Sequence, residues 1–184
     1  MSETDMMARG SKPNPMLKPR IEKVTVNICV GESGANLEKA IKILKQITGQ
    51  NPCQRNAKQS VREFGIRKGE PIACMVTLRG TKAFEFLKKV LDVVENKLSE
   101  STFDKFGNFG FGIKEHIEIA GTKYIPELGI VGMNISVSFI RPGISISRRR
   151  VMNRKLKESL RPTPKETMAI MKEQFGVTVV SKVI

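Results

Sequence analysis

The densest chemistry in this sequence is cationic. Between positions 148 and 161 stand Arg148, Arg149, Arg150, Arg154, Lys155, Lys157 and Arg161, against one acid, Glu158. A second cluster, Arg55, Lys58, Arg62, Arg67 and Lys68, surrounds Phe64 with Gly65 and Gly69. Guanidinium and ammonium groups so concentrated suit phosphate, and each phosphate they neutralise steepens the salt dependence of binding. Cations around an aromatic on a loop also suit stacking on unpaired bases. The whole chain leans the same way: 32 Lys plus Arg against 18 Asp plus Glu give 184 residues a net charge of +14. Such an excess repels itself until a polyanion neutralises it, so nucleic acid leads the partner classes. An anionic membrane surface is the competitor, but it requires an amphipathic helix whose apolar face is free.

Other chemistry finds little support. His116 is the one imidazole, and the sequence places it next to Glu115 in a strand, where adjacent side chains point to opposite faces. No Ser, Cys or carboxylate stands in a nucleophile motif. Gly31-Glu32-Ser33-Gly34 lacks the spacing and the Lys-Ser/Thr ending of a phosphate loop and reads as a tight turn. Cys29, Cys53 and Cys74 are odd in number and far apart, which indicates neither a disulfide framework nor a zinc site. An enzyme, a metal and a cofactor are therefore not expected, and a reducing compartment is. The apolar stretches fall short of the ~18 residues of a membrane span. The polar start Met1-Ser2-Glu3-Thr4-Asp5 does not resemble a secretory signal.

The cationic groups must be carried by a scaffold, and hydrophobic periodicity outlines one. Residues 1–19 hold Gly10, Pro13, Pro15 and Pro19 with little apolar pattern and read as a flexible arm. In 20–30, Val24, Val26, Ile28 and Val30 share one face of a strand, and Lys23, Thr25, Asn27 and Cys29 the other. A helix is expected over 35–48 from Leu37, Ile41, Leu44 and Ile47, with Gly49 as its stop. Residues 51–61 have weak strand character, and 64–71 read as a loop. The next alternation, 71–78, sets Ile72, Cys74, Val76 and Leu78 against Ala73, Met75, Thr77 and, beyond it, Arg79. Thr81 is expected to cap a helix over 82–98 with Phe84, Leu87, Leu91, Val94 and Leu98 as its stripe. Strands are expected around 113–119 and over 132–141, and Pro142-Gly143 turns the chain. The last helix opens on Thr163, Pro164 and Glu166, a capping box with Pro at the first helical position, and should stop at Gly176. Residues 177–180 are expected to pair as a short strand.

Strands with one apolar and one polar face, interrupted by three helices, predict an α+β fold: an antiparallel sheet with helices packed on one face and the other face open. Residues 20–184 are expected to form a single domain, with 141–161 as its basic segment. Asn27, Thr77 and Arg79 fall on the open face, where amide, hydroxyl and guanidinium groups suit phosphate, ribose hydroxyls or base edges. Water alone would also explain polar groups there. The loop at 54–69 reads equally as an RNA clamp or as a solubilising hairpin tip. The run at 148–161 reads as a binder of phosphate backbone rather than of base sequence. Phe109-Gly110-Phe111-Gly112-Ile113 has some likeness to an RNA-recognition signature but lacks its basic residue, and reads as core and turn.

Longer stretches carry a more specific signal. They are Arg20-Ile21-Glu22-Lys23-Val24-Thr25-Val26-Asn27, Ile47-Thr48-Gly49-Gln50 with Pro52, Phe64-Gly65-Ile66-Arg67-Lys68-Gly69-Glu70-Pro71-Ile72 and Val76-Thr77-Leu78-Arg79-Gly80. Phe111-Gly112-Ile113-Lys114-Glu115-His116 and Gly129-Ile130-Val131-Gly132-Met133 follow in the same order. Together they resemble the universal large-subunit ribosomal protein five family over roughly 14–180. The Arg141-Pro142-Gly143 turn and the basic residues after it resemble its archaeal and eukaryotic branch. The resemblance implies a non-enzymatic structural protein of the cytoplasmic ribosome, in the central protuberance of the large subunit. It implies 5S ribosomal RNA on the sheet face, at the positions matching Asn27, Gln50 and Thr77, with Arg79 added by parity. It implies that the loop bearing Arg55, Lys58, Arg62, Phe64, Arg67 and Lys68 approaches peptidyl-site transfer RNA. Large-subunit ribosomal RNA is then expected along Arg148, Arg149, Arg150, Arg154, Lys155 and Lys157. A protein of the small-subunit head is a further implied partner.

Overall fold

The structure, a computed structural model, describes residues 14–122 and 125–180. The first strand, β1 (Arg20–Cys29), buries Val24, Val26 and Ile28 and leaves Lys23, Thr25 and Asn27 half-exposed. Helix α1 (Ala35–Thr48) follows and ends where Gly49 turns left-handed at φ 64°, its N–H donating to the Lys45 carbonyl. Strand β2 (Cys53–Asn56) is short and exposed. An excursion leads from it to β3 (Pro71–Leu78), which buries Cys74, Val76 and Leu78. Helix α2 (Thr81–Val93) buries Ala83, Phe86, Leu87, Val90 and Leu91. Then come β4 (Lys97–Ser99), β5 (Phe109–Ile113) and β6 (Met133–Ile140). Helix α3 (Pro164–Phe175) and β7 (Thr178–Val180) close the order.

Five strands form one antiparallel sheet in the order β2-β3-β1-β6-β5, and β4 pairs with β7 in parallel. Inward residues of β1, β3, β5 and β6 form one apolar cluster with Leu37, Ala40 and Leu44 of α1, Leu87 and Leu91 of α2, and Ile170 and Met171 of α3. The α+β architecture with one covered face is thus present. Removing this much apolar area from water is the main force holding the sheet on its helices.

Two elements are corrected, the second helix and the strand expected around 113–119. The second helix stops at Val93, because Glu95 and Asn96 both turn left-handed, with φ 54° and 56°, and Leu98 goes into β4. Its N-cap is Gly80, so Thr81 is the first helical residue and caps nothing. Its stripe shifts accordingly: Phe84 is 41% exposed and packs its ring on Phe175 at 4.6 Å between centroids. The strand expected around 113–119 ends at Ile113, and His116–Glu118 form a 3-10 turn. His116 is buried there, and its Nδ1 accepts the Val131 N–H at 3.3 Å, which gives the ring a structural use. Of the proposed arm, 1–13 lie outside the described residues, while 14–17 form a turn closed by the Leu17 N–H on the Asn14 carbonyl at 2.9 Å.

Candidate nucleic-acid interface

The register of the sheet sets its outer residues in rows. Thr77 of β3 faces Thr25 of β1, Thr25 faces Ser136 of β6, and Ser136 faces Gly110 of β5. One step along, Cys53, Met75, Asn27, Asn134 and Gly112 cross all five strands. These two rows contain no carboxylate. Among the described residues, the side chains of Thr25, Asn27, Thr77, Asn134 and Ser136 make no hydrogen bond within the chain, so their donors and acceptors stay available. Side chains paired across strands in this way point out together.

The β5 end of the rows is bare. Phe109, Phe111 and Ile113 turn inward, which leaves Gly110 and Gly112 outward. A Cβ on Gly112 would lie 3.2 Å from Asn134 Oδ1, and one on Gly110 3.3 Å from the Ile135 carbonyl oxygen. Glycine at such a site lets another backbone approach closely. What looked from the sequence like turn residues is therefore a strand whose outer side is kept flat.

Gln50 lies three residues before Cys53, which pairs with Met75, so the chain enters β2 from the Thr77 side of the sheet. Arg79 stands just past β3, with its side chain 58% exposed and its Nη1 donating to Glu22 Oε1 at 3.3 Å. Arg55 lies within β2, opposite Ala73, on the open face. The rest of the expected clamp occupies the β2–β3 excursion, which is hydrogen-bonded rather than shapeless. Ala57 exchanges bonds with Gly69 and Glu70, Val61 pairs with Ile66 in both directions, and the Lys68 N–H reaches Ser60 Oγ at 2.9 Å. Phe64 sits at the tip, 74% exposed, where Gly65 turns at φ 66° and donates to the Arg62 carbonyl. Glu70 ties the base, accepting from the Arg67 N–H at 3.0 Å and from the Ser33 hydroxyl. These bonds, the Ser33 hydroxyl foremost, hold its carboxyl below the usual range.

The basic segment folds back over the end of the sheet. It is irregular apart from two 3-10 turns, Ile144–Ser147 and Glu158–Leu160. Arg141 anchors its start with a two-pronged contact to Glu166 at 2.6 and 2.7 Å, and also reaches the Ser159 carbonyl. Glu166 at the same time accepts the Thr163 N–H at 3.3 Å, closing the capping box of α3. Arg161 lies over the Phe106 ring at 4.3 Å, with Lys105 at 4.8 Å. Beneath the segment is a cavity of about 580 Å³ lined by Leu17, Phe106, Phe139, Ile146, Leu156 and Leu160 among others. Arg148 is bound at both terminal nitrogens to Glu22, and Arg149 Nε donates to the Met152 carbonyl at 2.9 Å. The side chains of Arg150, Arg154, Lys155 and Lys157 make no hydrogen bond or ion pair within the chain among the described residues.

The open face and both cationic stretches stand where the sequence pattern sets them, and Glu22 joins them without having been expected. Its signal was present: Glu22 shares the parity of Val24, Val26 and Ile28, an acid where the alternation calls for an apolar residue. The membrane alternative loses its basis, since the apolar stripes of α1 and α2 face the core. No helix among the described residues is long and apolar enough to cross a membrane.

Comparison with known proteins bears on the same residues. A family model described as ribosomal protein L5 matches residues 14–67, and one described as the C-terminus of the same ribosomal family matches residues 71–162. The large ribosomal subunit protein uL5 of Sulfurisphaera tokodaii is 49% identical over 175 residues, 95% of this chain and 99% of the relative. That of Aeropyrum pernix is 49% identical over 170 residues, 92% of this chain and 88% of the relative. That of Methanosphaera stadtmanae is 49% identical over 166 residues, 90% of this chain and 99% of the relative.

Proposed function

Because this chain belongs to the ribosomal protein L5 family of the large ribosomal subunit, we propose that it binds 5S ribosomal RNA through the open face of its five-stranded sheet. The chain is a structural, RNA-binding constituent of the large subunit in the cytoplasmic ribosome, it is not an enzyme, and its partners are ribosomal RNA and ribosomal proteins.

The observation that carries the finer reading is the pair of rows Thr77–Thr25–Ser136–Gly110 and Met75–Asn27–Asn134–Gly112. They offer uncommitted amide and hydroxyl groups on a rigid floor that ends in bare backbone. Such a surface suits the shape and the 2′-hydroxyls of folded RNA. Asn27, Thr77, Gln50 and Arg79 are its contacts in this reading. Arg150, Arg154, Lys155 and Lys157, uncommitted within the chain, neutralise phosphates of large-subunit RNA and set affinity rather than choice. Residues 20–184 then act as one RNA-binding domain, with 1–19 as an arm. The exposed Phe64 and its surrounding cations suit the elbow of peptidyl-site transfer RNA, and a small-subunit head protein completes the proposed neighbours in the central protuberance.

The test is binding of 5S ribosomal RNA across a salt series, with bulk transfer RNA as competitor. The Asn27→Ala/Thr77→Ala double variant should bind about tenfold more weakly, as expected for two lost hydrogen bonds of ~0.5–1.5 kcal/mol each. Equal affinity for every RNA, unaltered in the variant, would overturn recognition by the sheet face.

A further inference from the structure

We propose that Arg79 and Arg148 form one phosphodiester-binding clamp, preassembled by the buried carboxylate of Glu22. This inference rests on RNA binding by the chain, but not on which RNA is bound.

Glu22 occupies a break in the β1–β6 register: Ile21 pairs with Phe139 and Lys23 with Ser138, so Glu22 is the extra residue of a bulge. A bulge re-aims the side chain it carries. Here it takes an acid from the core parity to the end of the sheet, where the Glu22 side chain is only 6% exposed. Its Oε1 accepts from Nη1 of Arg79 at 3.3 Å and from Nη1 of Arg148, and its Oε2 accepts from Nη2 of Arg148 at 2.8 Å. Arg79 Nη1 also lies 3.5 Å from the Glu22 carbonyl oxygen. Because both guanidinium groups share one oxygen, their Nη1 atoms lie within two hydrogen-bond lengths, about 6 Å.

Two arginines arrive from distant parts of the sequence, one after β3 and one in the basic segment. Without a carboxylate between them they would repel and separate. With it, the cluster keeps one net positive charge at a fixed place, and both side chains remain about half exposed, at 58% and 49%. Each guanidinium carries five N–H donors in a planar fork, and Glu22 engages only some of them. The rest are available to one anion bridging the pair, and the fork geometry matches phosphate oxygens. The cost of ordering two long side chains is then met in the free protein instead of on binding.

The clamp predicts an effect opposite in sign to simple electrostatics. Glu22→Gln removes a negative charge from a basic surface, so charge alone predicts tighter RNA binding. A clamp held by Glu22 predicts weaker binding, about tenfold, and a log K against log salt slope shallower by about 0.9 for each phosphate no longer neutralised. Glu22→Asp keeps the charge but shortens the reach, and should weaken binding similarly. Glu22→Gln added to an Arg79→Ala/Arg148→Ala background should change little, because the groups it orients are gone. Thermal melts of each free variant separate a broken clamp from a broken fold, and Arg148→Lys, which keeps the charge without the fork, serves as a second variant remote from the sheet interior. Binding of Glu22→Gln that equals or exceeds wild type, or full affinity in Arg148→Lys, overturns the clamp. Failure of the 5S reading is separate: wild type would then not distinguish 5S ribosomal RNA from transfer RNA, while the slope change would still be measurable with either.

Discussion

The five-stranded sheet and the basic segment at 141–161 are held in place by different forces. The sheet is fixed by burial: Val24, Val26 and Ile135 are fully inaccessible and Val137 nearly so. The segment has no regular ladder and no stripe at strand or helix period. It is held by Arg141 on Glu166, Arg148 on Glu22, Arg161 over Phe106 and a few short-range turns. One region keeps its shape through non-directional apolar contact, the other through a small number of charged contacts. A rigid face can select a shape, whereas a segment hung on ion pairs keeps its place only while its carboxylates stay charged.

The largest effect that would break this comparison lies in the sheet. Ile135 sits between Val26 and Phe111 in the register and is fully buried. Ile135→Ala should destabilise the fold by ~2–5 kcal/mol, the lost transfer energy plus the cavity left behind. Denaturant titration measures it directly. A cost near zero would mean that the inner face is not what fixes the rows above it.

The same contrast explains what could be read from sequence. Elements whose causes are local were legible: β1, β3 and β6 from strict alternation, α1 from its stripe and Gly49, and α3 from Thr163, Pro164 and Glu166. Elements decided by distant partners were not. Val94 and Leu98 keep helical spacing, but Leu98 pairs with Val179 in β7, and the chain breaks at Glu95 and Asn96 to reach it. Gly110 and Gly112 looked like loop because no local rule says that a strand can keep one side bare. The open face was legible by parity, since Asn27 and Thr77 need only period two. The Glu22 junction was not, because one of its arginines lies 126 positions away.

A smaller effect sharpens the comparison through pH. Hydrogen bonding from Arg148, with burial opposing and Arg79 assisting, holds the Glu22 carboxyl below its ordinary value of 4.5. A lowered folded-state value means that the stabilisation is fully present above the unfolded value and is lost as pH falls through the folded one. Acid below about pH 4.5 should therefore release the segment around Arg148 while the inner face of the sheet, which carries no such pair, persists. Amide NMR signals of 144–154 are expected to shift before those of Val26, Ile28, Cys74 and Val76 at the centre of the sheet, away from Glu22 itself. Simultaneous loss of both sets would show that the segment is not an independently anchored region.

The smallest effect uses the three thiols as built-in reporters of which face is which. Cys29 and Cys53 are exposed and lie on the outer parity, opposite Ala73 and Met75 of β3. Cys74 is buried on the inner parity, and desolvation pushes its thiol up to about 11 from an ordinary 9.0. Because the thiolate is the reacting species, a thiol reagent at neutral pH should modify Cys29 and Cys53 readily and Cys74 only when the sheet opens. Bound RNA should then slow Cys53, which stands in the same row as Asn27 and Asn134, and leave the rate at Cys74 governed by unfolding. Mass spectrometry of the modified peptides resolves the three sites. Protection of Cys53 under conditions where Cys74 stays unmodified with or without RNA would put the RNA on the open face. Unchanged modification of Cys53 in a saturated complex would move the RNA off that row and leave the basic segment and the loop to account for the affinity.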